Sequence, residues 1–217
     1  MSFFQKHKNI WYSITLLITL IAGRMVFTNS LHFAFLFWNL LLAVVPLYLS
    51  HCTLKSSKPL VAWLSAMAWL LFFPNAAYLL TDIVHLKASA HLIYWLDMVI
   101  LYLAGIYGLF ISMYSLKEME SWYGGFVSAK AKHIITFAVL LLSGYGIYLG
   151  RVERWNSWDM ITQPMNLLTA MFHHSRHPFR NREVWMMSGV FGVGLLLLYY
   201  FFAGVLQQKI SEDSDVR

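Results

Sequence analysis

Apolar residues run along this chain in long blocks rather than in strict alternation with polar ones. A helix needs about 20 predominantly apolar residues to cross the hydrocarbon of a bilayer. By that measure the pattern predicts six spanning helices, over residues 10–27, 31–50, 60–80, 92–114, 134–150 and 184–206. Only Thr28, Asn29 and Ser30 separate the first two, which makes them a tight hairpin. Pro74 lies inside the third run and lacks a backbone donor, so it should kink that helix or end its apolar part. Ser128 can cap the helix that enters the fifth span. Between the fifth and sixth, Met165, Leu168, Met171 and Phe172 oppose Asn166, Thr169 and His173, and this amphipathic pattern predicts a short helix over 165–172 lying in the membrane interface. The expected fold is an all-α polytopic membrane helix bundle of about six transmembrane helices plus that interfacial helix, forming a single integral-membrane domain over residues 1–217.

Composition narrows the class. Of 217 residues, 59% are hydrophobic and 12% charged, against roughly a quarter charged in soluble domains. This excludes a cytosolic enzyme, a secreted disulfide scaffold and a disordered tail. The single cysteine, Cys52, cannot form an intrachain disulfide. The first run lacks an A-x-A cleavage pattern and reads as an uncleaved span. With the N-terminus inside, Lys6, Lys8, Lys55, Lys58, Lys117, Lys130, Lys132, Lys209 and Arg217 fall on the cytoplasmic side. Arg24, Lys87, Arg151, Arg154, Arg176, Arg180 and Arg182 fall opposite, a margin of nine to seven. The positive-inside rule then places both termini in the cytoplasm and the chain in the cell membrane. The net charge of +6 belongs to these loops, and no basic stripe with interleaved aromatics points to nucleic acid. The expected partners are membrane lipids, with either further copies of the chain or another membrane protein beside them. No cofactor is specified, and no metal is assigned.

Alternating spans bring most of the chemically interesting polar residues to the noncytoplasmic face, while the other face carries mostly Lys and Glu in solvated connections. On the third helix, Asn75, Tyr78, Asp82 and His85 are spaced three, four and three, an arc of roughly 80° if the helix persists past Pro74. Such a stripe either forms a site or simply caps a helix end in the headgroup region. Asp97 lies six residues into the fourth run, about 9 Å along its helix, after His91 and Tyr94. A carboxylate there needs a partner, a proton or a wet cavity. Ala104 and Gly108 permit close helix contact further down. Arg151, Arg154 and Trp158 share one face if the fifth helix continues past Gly150. Trp155 and Trp158 suit headgroup depth, and Asn156 or Ser157 can cap a following helix that has Asp159 in its first turn. We expect Asp82 or Asp97 within reach of Arg151 or Arg154, with Arg24 as the rival partner. His173, His174 and His177 could ligate a metal at their i, i+4 spacing, but they lack an H-E-x-x-H signature and read better as part of a basic loop.

The stretches Phe-Phe-Pro-Asn-Ala-Ala-Tyr-Leu-Leu-Thr-Asp-Ile-Val-His-Leu (72–86), Trp-Leu-Asp (95–97) and Leu-Gly-Arg-Val-Glu-Arg-Trp-Asn-Ser-Trp-Asp (149–159) resemble a bacterial integral-membrane family, domain of unknown function thirteen sixty-one. The resemblance implies a class and a set of motif positions, not a reaction. Those positions include Pro74, Asn75, Tyr78, Thr81, Asp82, His85, Asp97 and Gly150 to Asp159 without Val152 and Glu153. Three functions fit the residue types. The first is a site that binds or processes an anionic or hydroxylated envelope or lipid-headgroup substrate. In it Asp82, His85 and Asp97 are the acid and base candidates, and Asn75, Tyr78, Arg151, Arg154, Trp155, Asn156, Trp158 and Asp159 are the binding candidates. The second is a small proton- or ion-coupled carrier. The third is a noncatalytic membrane assembly protein.

Overall fold

The computed structural model describes residues 3–88 and 93–215, so His91 and Arg217 lie outside the described residues. Those described are helical with no strand, and six of their helices are long and apolar enough to cross a membrane. The chain folds as two compact units, Met1–Val127 and Ser128–Arg217.

The first unit opens with α1 (Phe3–Lys6), followed by α2 (Lys8–Thr28), α3 (Ala34–Lys55) and α4 (Pro59–Tyr78). A 3₁₀ segment (Leu79–Ala88) leads from α4 towards α5 (Tyr94–Tyr123). Burial follows the helical period. Ile14, Leu17, Ile21 and Arg24 line one face of α2, and Leu36, Leu40, Ala43 and Leu47 line one face of α3. Ala62, Ala66, Trp69 and Phe73 do the same on α4. Apolar side chains such as Trp63, Leu64 and Met67 remain on the outside, as expected where lipid is the solvent. The α2–α3 hairpin closes on Asn29, whose left-handed backbone (φ 53°, ψ 36°) lets its N–H reach the carbonyls of Met25 and Val26. Ala104 is fully buried, and a Cβ added to Gly108 would stand 2.1 Å from the Ala76 carbonyl oxygen, so α4 and α5 meet almost backbone to backbone. The Trp69 indole N–H donates to Ser115 Oγ at 2.9 Å across the same seam.

Pro74 does not end α4, which continues to Tyr78 before tightening into the 3₁₀ segment. Ten residues is long for this geometry, whose hydrogen bonds are poorer than those of an α-helix. Its three-residue turn still aligns Asp82 with His85. The fourth spanning helix also runs beyond the expected Tyr114, to Tyr123. Glu118 and Glu120, expected in a solvated connection, are therefore helical and buried, at 5% and 2% exposure.

The second unit contains α6 (Ala129–Arg151), α7 (Asp159–Thr162), α8 (Pro164–Arg176) and α9 (Arg182–Asp215). Ser128 caps α6 as expected, accepting the Ala131 N–H at 3.2 Å. Helices α6 and α9 pack closely, since a Cβ on Gly144 would lie 2.2 Å from the Ser188 carbonyl oxygen. The amphipathic helix is longer than expected. It buries Leu167 and His174 while Met165, Leu168 and Phe172 stay exposed.

Candidate functional site

Within the first unit, four polar side chains from α2, α3, the 3₁₀ segment and α5 are drawn to one end. Arg24 continues the buried stripe of α2 by one further turn, and Asp97 begins the buried stripe of α5. Their forked contact runs from Arg24 Nε to Asp97 Oδ1 at 2.7 Å and from Arg24 Nη2 to Asp97 Oδ2 at 2.9 Å, with the two side chains 3% and 0% exposed. Arg24 also donates to Thr28 Oγ1 at 3.2 Å and lies 4.5 Å above the Phe33 ring. A planar guanidinium suits a carboxylate because two parallel N–H bonds fit its two oxygens. Asp97 thus meets the arginine that the sequence offers as the rival partner. Because α5 begins at Tyr94, the carboxylate sits in the first turn of the helix, where the exposed N–H dipoles favour an anion.

Asp82 has no exposed surface, and Oδ2 accepts the Asn39 side-chain N–H at 2.8 Å. His85 is half-buried with its ring 4.4 Å from that of Phe35. Asn75 and Tyr78 are half-buried at the end of α4, and the Tyr78 carbonyl accepts the Thr81 hydroxyl at 2.7 Å. Asn39, an ordinary polar residue on an apolar helix in the sequence, was not foreseen. Its signal was that an amide one turn into a spanning helix needs a partner.

In the second unit, α6 ends at Arg151, and Arg154 takes a left-handed backbone with φ 62°. The expected helical face shared by Arg151, Arg154 and Trp158 is therefore not formed, because the chain turns out of the helix first. The turn is held by the Trp155 backbone N–H donating to the Leu149 carbonyl at 3.0 Å and the Trp155 indole N–H donating to Glu153 at 3.0 Å. Arg151 and Trp158 are half-buried, and Arg154 and Asn156 are exposed. Asp159 starts α7 and accepts the Asn156 backbone N–H at 2.7 Å and its side-chain amide at 3.3 Å. His174 is buried between Glu153, at 2.8 Å, and the Tyr145 hydroxyl, at 2.9 Å. His173 and His177 stay exposed with their rings 5.3 Å apart.

A second cluster in the first unit carries no motif in the sequence. His7, His51 and Glu118 are all buried, and one potential ligand atom from each lies within 4.8 Å of the others. Burial lowers the His7 pKa from its ordinary 6.5. Glu118 opposes that shift, and Lys6 and His51 add to it. The signal available in the sequence was threading, since the start of span one and the ends of spans two and four emerge on one side.

Six spanning helices, no strand among the described residues and charge buried as a forked ion pair define an all-α polytopic membrane protein. Within that class, residues 38–198 match the family described as "Protein of unknown function (DUF1361)", and the chain belongs to it. No curated protein and no solved structure matches the chain.

Proposed function

We propose that this protein binds or processes an amphiphilic substrate with an anionic or hydroxylated head, of the envelope or lipid-headgroup kind, at the noncytoplasmic face of the cell membrane. The observation that carries this reading is the convergence of Arg24, Asn39, Asp82 and Asp97 on one end of the first unit. Polar groups at a membrane edge need no such gathering merely to be hydrated, and intramembrane ionisable groups mark functional sites by default. Both oxygens of Asp97 accept from one guanidinium, so Asp97 positions the site, while Asp82 and His85 on the 3₁₀ segment act as acid and base. Asn75 and Tyr78 precede them as binding groups. In the second unit Arg151 and Arg154 offer forked donors to an anion, and Trp155, Asn156, Trp158 and Asp159 shape that turn. The exposed apolar face of α8 suits a protein that works at headgroup depth.

The test compares lipid and envelope-polymer profiles of cells carrying the wild-type protein, Asp82→Asn or Arg151→Ala. Accumulation of one amphiphile in both variants is the expected result. Profiles identical to wild type in both would remove the reading. A carrier is the second reading, favoured by the 3₁₀ segment within the third candidate span, Pro59–Leu86, because broken helices line transport sites. Asp82-dependent flux of protons or metal ions in reconstituted vesicles would support the carrier instead.

A further inference from the structure

The second cluster stands at the other end of the first unit and is independent of the site proposed above. Asp97 and Glu118 occupy the same helix, roughly 32 Å apart along its axis at 1.5 Å per residue, close to the thickness of a bilayer core. Three elements build the cluster. His7 sits at the junction of α1 and α2, His51 lies one turn before the end of α3, and Glu118 projects from the last part of α5. His7 and Glu118 are 2% and 5% exposed, and His51 is 6% exposed. Phe3 packs its ring 4.9 Å from His7 and 5.2 Å from His51, and Tyr114 lies 5.1 Å from His7, so aromatic rings rather than solvent surround the imidazoles.

The hydrogen bonding of this cluster is incomplete in one direction only. Glu118 Oε2 accepts the Ser50 hydroxyl at 2.7 Å, which fixes the carboxylate and turns Oε1 towards the histidines. Oε1 lies 3.6 Å from His7 Nε2 and 4.0 Å from His51 Nδ1, too far for a hydrogen bond to either. Among the described residues, neither ring nitrogen of His7 nor Nδ1 of His51 has a hydrogen-bond partner. Unpaired buried polar atoms are costly, and two of these, His7 Nε2 and His51 Nδ1, facing the same carboxylate oxygen require an explanation. Lys6 supplies the present cation, with Nζ on Oε1 and a side chain 35% exposed.

We propose that His7, His51 and Glu118 form a binding site for a divalent transition-metal ion, with Lys6 as the exchangeable ammonium that the metal displaces. Two imidazoles and a carboxylate match the preference of zinc and its neighbours, whereas magnesium and calcium prefer all-oxygen shells. Ligands about 2.1 Å from a tetrahedral metal stand roughly 3.4 Å apart. The observed 3.6 Å and 4.0 Å to Glu118 need only a few tenths of an ångström of closure, and the full set, within 4.8 Å, closes to that spacing with an inward shift of about 1.4 Å at its widest. Ser50 plays the outer role usual at such sites, holding the oxygen that does not ligate. Three protein ligands leave at least one position for water or another molecule. His7 precedes the family match at residues 38–198, while His51 and Glu118 fall inside it.

The experiment uses the full chain purified in detergent without a histidine tag and titrated with Co²⁺, with Zn²⁺ as competitor. Metal content and the visible ligand-field bands of cobalt are the readouts. The expected result is one Co²⁺ per chain, displaced by Zn²⁺, with at least tenfold weaker binding in His51→Ala and in Glu118→Gln. Lys6→Ala removes a partly exposed side chain and should tighten Co²⁺ binding several-fold, an effect that damage to the fold does not produce. Binding at other residues, seen as unchanged affinity in both ligand variants, would overturn the proposal. So would the absence of a saturable cobalt spectrum in wild type, or no tightening in Lys6→Ala.

Discussion

Removing the guanidinium of Arg24 takes both forked donors from a carboxylate that has no exposed surface. Breaking a buried pair by truncating one partner costs about 3–5 kcal/mol, because the survivor stays charged and desolvated. The contact with Phe33 adds about 0.5–2 kcal/mol to the loss in Arg24→Met. For a chain of this size each kcal/mol lowers the melting temperature by about 2–4 °C, so the variant should melt roughly 7–28 °C below wild type. The informative partner is the double variant Arg24→Met with Asp97→Asn. With neither charge left, most of the pair's loss should be recovered, since a buried pair is often no better than a neutral substitute. Thermal melts in detergent, followed by tryptophan fluorescence on wild type, both single variants and the double, give the coupling energy directly. If the double variant lost the sum of the single losses, the pair would not be an isolated energetic unit. If Arg24→Met melted with wild type, the argument from buried charge would fail.

Glycine at the two helix seams makes a different prediction. Gly108→Ala and Gly144→Ala each place a methyl against backbone and should destabilise by about 1–3 kcal/mol, whereas Gly189→Ala meets nothing within 4 Å and should gain about 0.5–1 kcal/mol. Equal melting temperatures for all three would refute the close approaches. For α8, nitroxides at positions 168 and 166 in a Cys52→Ser background should differ in bilayers. The probe at 168 should relax faster with dissolved oxygen, and the probe at 166 with a water-soluble nickel chelate. Identical responses would remove α8 from the interface.

The spanning helices were legible because lipid imposes one requirement on every residue of a span, and a run of apolar side chains satisfies it without reference to the rest of the chain. The hairpin at Asn29 and the Ser128 cap were legible for a similarly local reason. Asp97 announced itself through the cost of its position, but its partner did not. Choosing between Arg24 and Arg151 requires knowing which helices are neighbours, and helices of low amphipathicity carry little of that information. Arg154 leaves the expected face because α6 ends at Arg151, and no glycine follows to mark that stop. Glu118 is buried although its sequence neighbours, Lys117 and Glu120, have the polarity of a solvated connection. Its histidine partners lie at the α1–α2 junction and in α3, and only assembly makes the three residues a cluster.

The Arg24–Asp97 pair also has a history in time. The two residues are separated by 73 positions in the chain, so at typical rates of about 5–20 residues per second Arg24 is synthesised roughly 4–15 s before its carboxylate exists. During that interval the guanidinium stands one turn from the end of α2, where a long side chain can reach the headgroups. The forked pair can close only once α5 has been made, so a ribosome stalled before residue 97 would leave Arg24 without that carboxylate.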